Sequence, residues 1–371
     1  MTFLKKIFFF ITFFLSIIIF VHFFLILFAD TYRFFTKKNN KLNVNIAEVS
    51  KLDIYKEIDW SEEFFREYSS LKQNYKSYIG WRTKKFKGNH INIDKDGIRS
   101  TIFENNSNDE LKNLFFGGSV TWGYGSDDAN TIPSHYSLIS NEKSKNLGER
   151  SWVLDQDLIY LIQQYNKLKS FTNVFFIQGI NDIFIKCKSN DLYIHGQEKI
   201  IQNKINKQKI DSASFENFFS VFNKYLKIVE IKLNQIFKST SKNISDINYC
   251  SDKNYAKLVA ENIIFNFHNA KKIAKLNNDN FFAILQPIHF YSENNYHLTN
   301  SYDWVDKESF MYIYDLISKS EEGMEYFIDL KDMFKNTDEI IFIDKAGHLT
   351  PNGNRIFAER LYFEKKKRLK E

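Results

Sequence analysis

The sequence predicts an α/β fold in three layers, a central parallel sheet with helices on both faces. Two observations predict it. Apolar strand-like runs alternate with segments of helical spacing. One of those runs ends in Gly117-Gly118-Ser119, a tight turn that presents a hydroxyl at a strand's carboxyl end, where open α/β sheets bind their ligands.

The elements follow in chain order. Ile7 to Ala29 is an uncharged run broken only by Thr12, Ser16 and His22. As a helix it spans roughly 34 Å, enough for a bilayer core. Leu27-Phe28-Ala29-Asp30 offers no small-residue cleavage site. Residues 1–30 are therefore expected to be a cytoplasmic tip and a single-pass anchor in the lipid bilayer. Lys5 and Lys6 precede the run, and Arg33, Lys37, Lys38 and Lys41 follow it. Charge counting favours a cytoplasmic carboxyl side, but long domains cross with little regard to charge. A short tail before a long domain is the usual signal-anchor form, so the large domain is expected outside the cytoplasm.

Residues 31–110 read as a stalk and an accessory segment. Leu52 to Lys72 has helical spacing, Tyr78 to Arg82 and Ile91 to Arg99 read as short strands, and Asp96-Gly97 marks a hairpin-type turn. Residues 111–371 form the main domain. Its strands are Asn113 to Phe116, Asn173 to Gln178, Phe281 to Gln286 and Glu339 to Ile343. Helices begin near Pro133, run within Trp152 to Leu168, and close the chain from Asn352 to Glu364. Residues 188–254 are a Lys- and Asn-rich insertion with an amphipathic helix from Phe215 to Phe237. Tyr291, Tyr296 and Trp304 either line a sugar or acyl site or simply pack.

The chemistry-bearing residues lie at strand ends. A serine hydroxyl needs a neighbouring base, and a histidine near neutrality suits that task. Ser119 ends the first strand, and His348 precedes the last helix. Asp344 stands just upstream to orient the imidazole. Attack on an ester carbonyl also needs donors for the oxyanion. The Asn181 amide and the backbone N–H groups of Ser119 and Gly148 are the candidates. The elbow of α/β-hydrolases does not fit, because Thr121 replaces its last glycine. Nor does a P-loop, since no lysine follows the glycines.

In their order, Gly117-Gly118-Ser119, Asn146-Leu147-Gly148, Gly179-Ile180-Asn181-Asp182 and Asp344 to His348 resemble the conserved blocks of the SGNH (GDSL-like) hydrolases. The resemblance covers Leu111 to Tyr362, with Gly118 where the family name has Asp. It implies a flavodoxin-like fold, Ser119 as nucleophile, His348 as base and Asp344 as orienter. Ser119, Gly148 and Asn181 would form the oxyanion hole. It also implies an acyl-ester substrate and no cofactor. The family spaces its acid and base as Asp-x-x-His, whereas this chain has Asp344-x-x-x-His348, with Lys345 at the usual acid position. Either Gly347 eases a one-residue bulge, or the protein works as a Ser-His dyad. An esterase, an O-acyltransferase with a sugar hydroxyl as acceptor, and a non-catalytic assembly protein on a hydrolase fold all remain open.

Net charge is +6 over 371 residues, too diffuse to indicate nucleic acid. The two cysteines, Cys187 and Cys250, are too few for a structural zinc site. They either pair across the insertion, which requires an oxidising compartment, or stay as thiols.

Overall fold

The structure, a computed structural model, describes residues 3, 5–18, 20, 21, 24, 49–103, 110–168, 171–203, 247–293, 298 and 305–370. The expected helix from Phe215 to Phe237, most of the stalk, Tyr296 and Trp304 lie outside the described residues. Two compact units are present, Met1–Glu48 and Val49–Glu371. In the first, residues 5–18 are helical, with Phe8, Phe10 and Phe14 exposed. Among the described residues no helix is long and apolar enough to cross a membrane. The last five residues of the expected span, 25–29, lie outside them.

The second unit opens with helices α1 (Asp53–Lys56) and α2 (Ser61–Ser70). Two small antiparallel pairs follow, β1 (Gln73–Lys76) with β2 (Gly80–Thr83) and β3 (Phe86–Lys87) with β4 (Asn92–Ile93). The Asp96-Gly97 turn forms as expected, with Gly97 N–H donating to Asp94 O. Of the segment 31–110, residues 49–110 belong to the same compact unit as the main domain.

The main sheet uses β5 (Leu111–Gly117), β6 (Lys143–Asn146), β7 (Asn173–Gln178), β8 (Asn280–Leu285) and β9 (Phe327–Asp329). All four pairings are parallel, in the order β6-β5-β7-β8-β9. Between them come α3 (Ser119–Trp122), α4 (Ile132–Ser140), α5 (Leu154–Tyr165), α6 (Ile180–Lys186), α7 (Lys253–Leu276), α8 (Lys307–Ser320) and finally α9 (Pro351–Leu369). Capping follows the sequence: Thr131, Asp252, Asp306 and Thr350 each accept an N–H in the first turn of α4, α7, α8 and α9.

Alternate side chains of each strand enter opposite cores, the period of two that a pleated strand imposes. Leu114, Phe116, Val174, Phe176, Phe281 and Ala283 face a core shared with α5, α7 and α8. Phe115, Phe175, Ile177, Phe282 and Ile284 face the core shared with α4 and α9. On that second face Phe115, Phe175 and Phe282 stack across three neighbouring strands, with centroids 4.6 and 5.2 Å apart.

Two strand expectations change. Glu339 to Ile343 does not join the sheet; the fifth strand is Phe327–Asp329. Phe342 instead pairs antiparallel with Leu349, and Thr350 N–H donates to Ile341 O at 2.7 Å. Ile341 and Phe342 bury their side chains in the second core without a place in the main sheet. Conversely Lys143–Asn146, too polar to read as a buried strand, is β6 at the end of the strand order, paired along its length with β5 and otherwise met by the isolated Arg99–Asn146 bridge.

Candidate active site

The strand order reverses between β5 and β7, which run to the same end of the sheet. Such a switch point leaves a crevice at the carboxyl ends of the strands. Ser119 follows β5 there, and Asn181 follows β7. Leu147 and Glu149 N–H groups donate to Phe115 and Gly117 carbonyls, which carries the 147–149 loop along the same rim.

Ser119 Oγ lies 2.6 Å from His348 Nε2, and His348 Nδ1 lies 2.6 Å from Asp344 Oδ2. With the ring proton on Nδ1, the imidazole donates to Asp344 and accepts from the serine. Asp344 is fully buried, while Ser119 is partly exposed at the rim. The second Asp344 oxygen accepts the N–H groups of Ala346 and His348 at 3.0 and 3.3 Å.

The additional residue between acid and base is absorbed by a tight loop. Ile343 N–H donates to His348 O at 2.9 Å, closing a four-residue turn over 344–347. Gly347 takes φ +81° there, and a Cβ on it would lie 2.3 Å from Ile180 Cδ1. Asp344, one position upstream of Lys345, is the residue whose carboxylate meets the imidazole.

The oxyanion candidates divide. Asn181 Nδ2 sits against the serine turn, so close that a Cβ on Gly118 would come within 2.3 Å of it. One of its N–H bonds donates to Trp152 O at 2.8 Å. Gly148 also packs on the turn, with Trp122 N 2.8 Å from the position of a Cβ. Its N–H donates to Asn146 Oδ1 at 3.2 Å. Asn146 also donates to the Thr121 and Trp122 carbonyls, so the second block caps the short helix that carries Ser119.

Several contributors were not singled out in the sequence. Tyr124 packs its ring 4.5 Å from that of His348. Tyr55 donates to Gly125 O at 2.6 Å; burial and then the Asp344 charge push its phenol up, so it stays protonated. Arg99 is wholly buried, pairs with Asp128 at 2.9 Å, and donates to the carbonyls of Trp122, Gly123 and Ser126. These include carbonyls at the end of the serine helix that have no intrahelical partner. Arg82 likewise donates to the carbonyls of Leu147 and Gly148. The accessory segment thus braces both loops of the site. Nothing in periodicity marks a buried arginine; the carbonyls and the carboxylate around each explain its place. Tyr291, by contrast, donates to Asp315 on α8.

No family model and no curated protein matches this chain. Solved structures that are similar to it include a lipolytic protein of the G-D-S-L family from Veillonella parvula DSM 2008. That protein is 11% identical, the match covers 68% of this chain and 97% of that one, and the TM-score is 0.37. The acetyl xylan esterase AlAXEase is 14% identical over 68% of this chain and 98% of its own, with a TM-score of 0.37. Est24, a carbohydrate acetylesterase from Sinorhizobium meliloti, is 11% identical over 68% and 99%, with a TM-score of 0.36.

Proposed function

We propose that this chain is a serine ester hydrolase acting on O-acyl esters. The observation that carries the reading is the unbroken chain Ser119–His348–Asp344, with both contacts at 2.6 Å. Ser119 Oγ attacks the acyl carbonyl carbon as its proton moves to His348 Nε2. The buried Asp344 carboxylate stabilises the resulting imidazolium. The Ser119 N–H and the free N–H of the Asn181 amide receive the oxyanion. Gly148 adds a third donor if its N–H turns from Asn146. When the carbon–oxygen bond to the alcohol breaks, the His348 proton passes to the leaving oxygen. Water then attacks the acyl-serine by the same route in reverse.

The substrate we propose is a small acyl group on a glycan, a reading that rests on the family resemblance and the anchor. The apolar run of residues 7–29 supports anchoring in a bilayer. The Cys187–Cys250 disulfide supports an extracytoplasmic location for the 49–371 unit.

A fluorophosphonate probe tests the nucleophile. Labelling of the wild type that disappears in Ser119→Ala, together with hydrolysis of p-nitrophenyl acetate, is expected. A folded wild type that neither labels nor turns over would refute the esterase. Acyl transfer to an added glycan hydroxyl in excess of hydrolysis would make the protein an acyltransferase.

A further inference from the structure

Asp157 and Gln178 lie beneath the serine turn, fully buried, and take no part in the steps above. Asp157 sits on α5, and Gln178 is the last residue of β7, an otherwise largely apolar strand. Gln178 Nε2 donates to Asp157 Oδ2 at 2.5 Å and to Trp152 O at 3.2 Å. Trp152 O accepts a second bond, 2.8 Å long, from Asn181 Nδ2. Both lone pairs of that carbonyl are then used. The Trp152 indole is held in turn by Trp81 O at 3.2 Å and by the Arg82 guanidinium 4.9 Å from its ring.

From this chain of bonds we infer that Asp157 and Gln178 are positioning residues for the Asn181 amide. A primary amide is planar and carries two N–H donors. Fixing one on Trp152 O fixes the direction of the other, and Gly118 leaves it room by having no side chain. Gln178 holds the carbonyl that Asn181 leans on, and Asp157 holds Gln178. An oxyanion donor helps only if it is aimed before the charge develops. Burial also pushes the Asp157 carboxyl well above the usual carboxylate range. A group so costly to bury, in a place that an apolar residue would fill, agrees with a positioning task.

The inference rests on the esterase reading, and a double-mutant cycle on the full-length protein separates the two. The probe substrate is p-nitrophenyl acetate. Asn181→Ala is expected to lower kcat about 100-fold, as for loss of one oxyanion donor. Gln178→Met is expected to lower kcat about tenfold with KM within about twofold, the signature of a donor misaimed in the transition state. The double variant is expected to match Asn181→Ala within about twofold, because Gln178 acts only through that amide. Gln178→Leu, which likewise removes the donor to Trp152 O, repeats the cycle if Gln178→Met does not fold. Equal losses in both backgrounds, or a rise in KM without a fall in kcat, would overturn the positioning role and leave the esterase standing. A folded wild type without turnover or fluorophosphonate labelling would overturn both.

Discussion

Asp344 reaches His348 across three intervening residues because its backbone folds back on itself. One carboxylate oxygen accepts two N–H groups of its own loop while the other faces the imidazole. An Asp side chain readily organises a turn of this kind, and Gly347 supplies the left-handed residue that closes it. The Ser-His dyad is therefore not needed to explain the altered spacing. Asp344→Asn is expected to lower kcat by about 10³–10⁴-fold, since the wrong tautomer and a lost charge disable the base. Steady-state kinetics beside His348→Ala check this; a loss below about tenfold would restore the dyad. Ser119→Ala should abolish turnover yet leave Tm within about 2 °C, because the partly exposed hydroxyl gives up little beyond its hydrogen bond to His348. The sequence named Ser119, Asn181, Asp344 and His348 because each stands beside a glycine-bearing turn at the end of an apolar run. It did not name Arg82, Arg99 or Tyr124, whose roles depend on neighbours distant along the chain.

At the scale of elements, α6 carries Asn181 at its first turn and ends beside Cys187. Cys187 is bonded to Cys250, just before α7, across 63 residues of sequence. Lys186, also buried, adds ion pairs to Asp155 and Asp182 at 2.7 and 3.0 Å. The helix that offers the amide is thus pinned at its far end. Closing a loop of that length removes denatured-state entropy worth about 4 kcal/mol. Cys187→Ala with Cys250→Ala is expected to lower the unfolding free energy by about 2–5 kcal/mol, read from denaturant midpoints. No change between oxidised and reduced protein would deny the pairing. Most elements of the main sheet were legible because their apolar runs are bounded by turn residues. β6 and β9 were less so. One is a polar edge strand, and the other spans only three residues, so neither carries a long apolar signature.

For the molecule as a whole, the buried carboxyls shape the pH dependence of stability. Asp157 has its affinity for a proton raised by burial and by nearby Asp182, against the opposing pull of Gln178 and Arg82. A folded state that holds this proton more tightly than the unfolded chain loses stability as pH rises above the ordinary carboxylate value. Asp157→Asn should therefore stabilise the protein more at pH 7.5 than at pH 5 in equilibrium denaturation. Equal effects at the two pH values would exclude this contribution. The division of the chain near residue 48 leads to a second expectation. Full-length protein should resist carbonate extraction from membranes, and removal of residues 1–48 should release an active, soluble unit. Release of the full-length chain by carbonate would refute the anchor.

Alone, the sequence determined the alternation of strand and helix, the apolar amino-terminal run, and which polar residues stand at strand ends. Each of these is local, written in the spacing of apolar side chains and in the residues that permit sharp turns. Tertiary structure decided the rest: that Asp344 closes on His348, that Cys187 meets Cys250, and that a carboxyl and an amide lie under the serine turn. Such pairings join residues from 4 to 63 positions apart, and only the packed sheet, by fixing where each loop emerges, determines which of them meet.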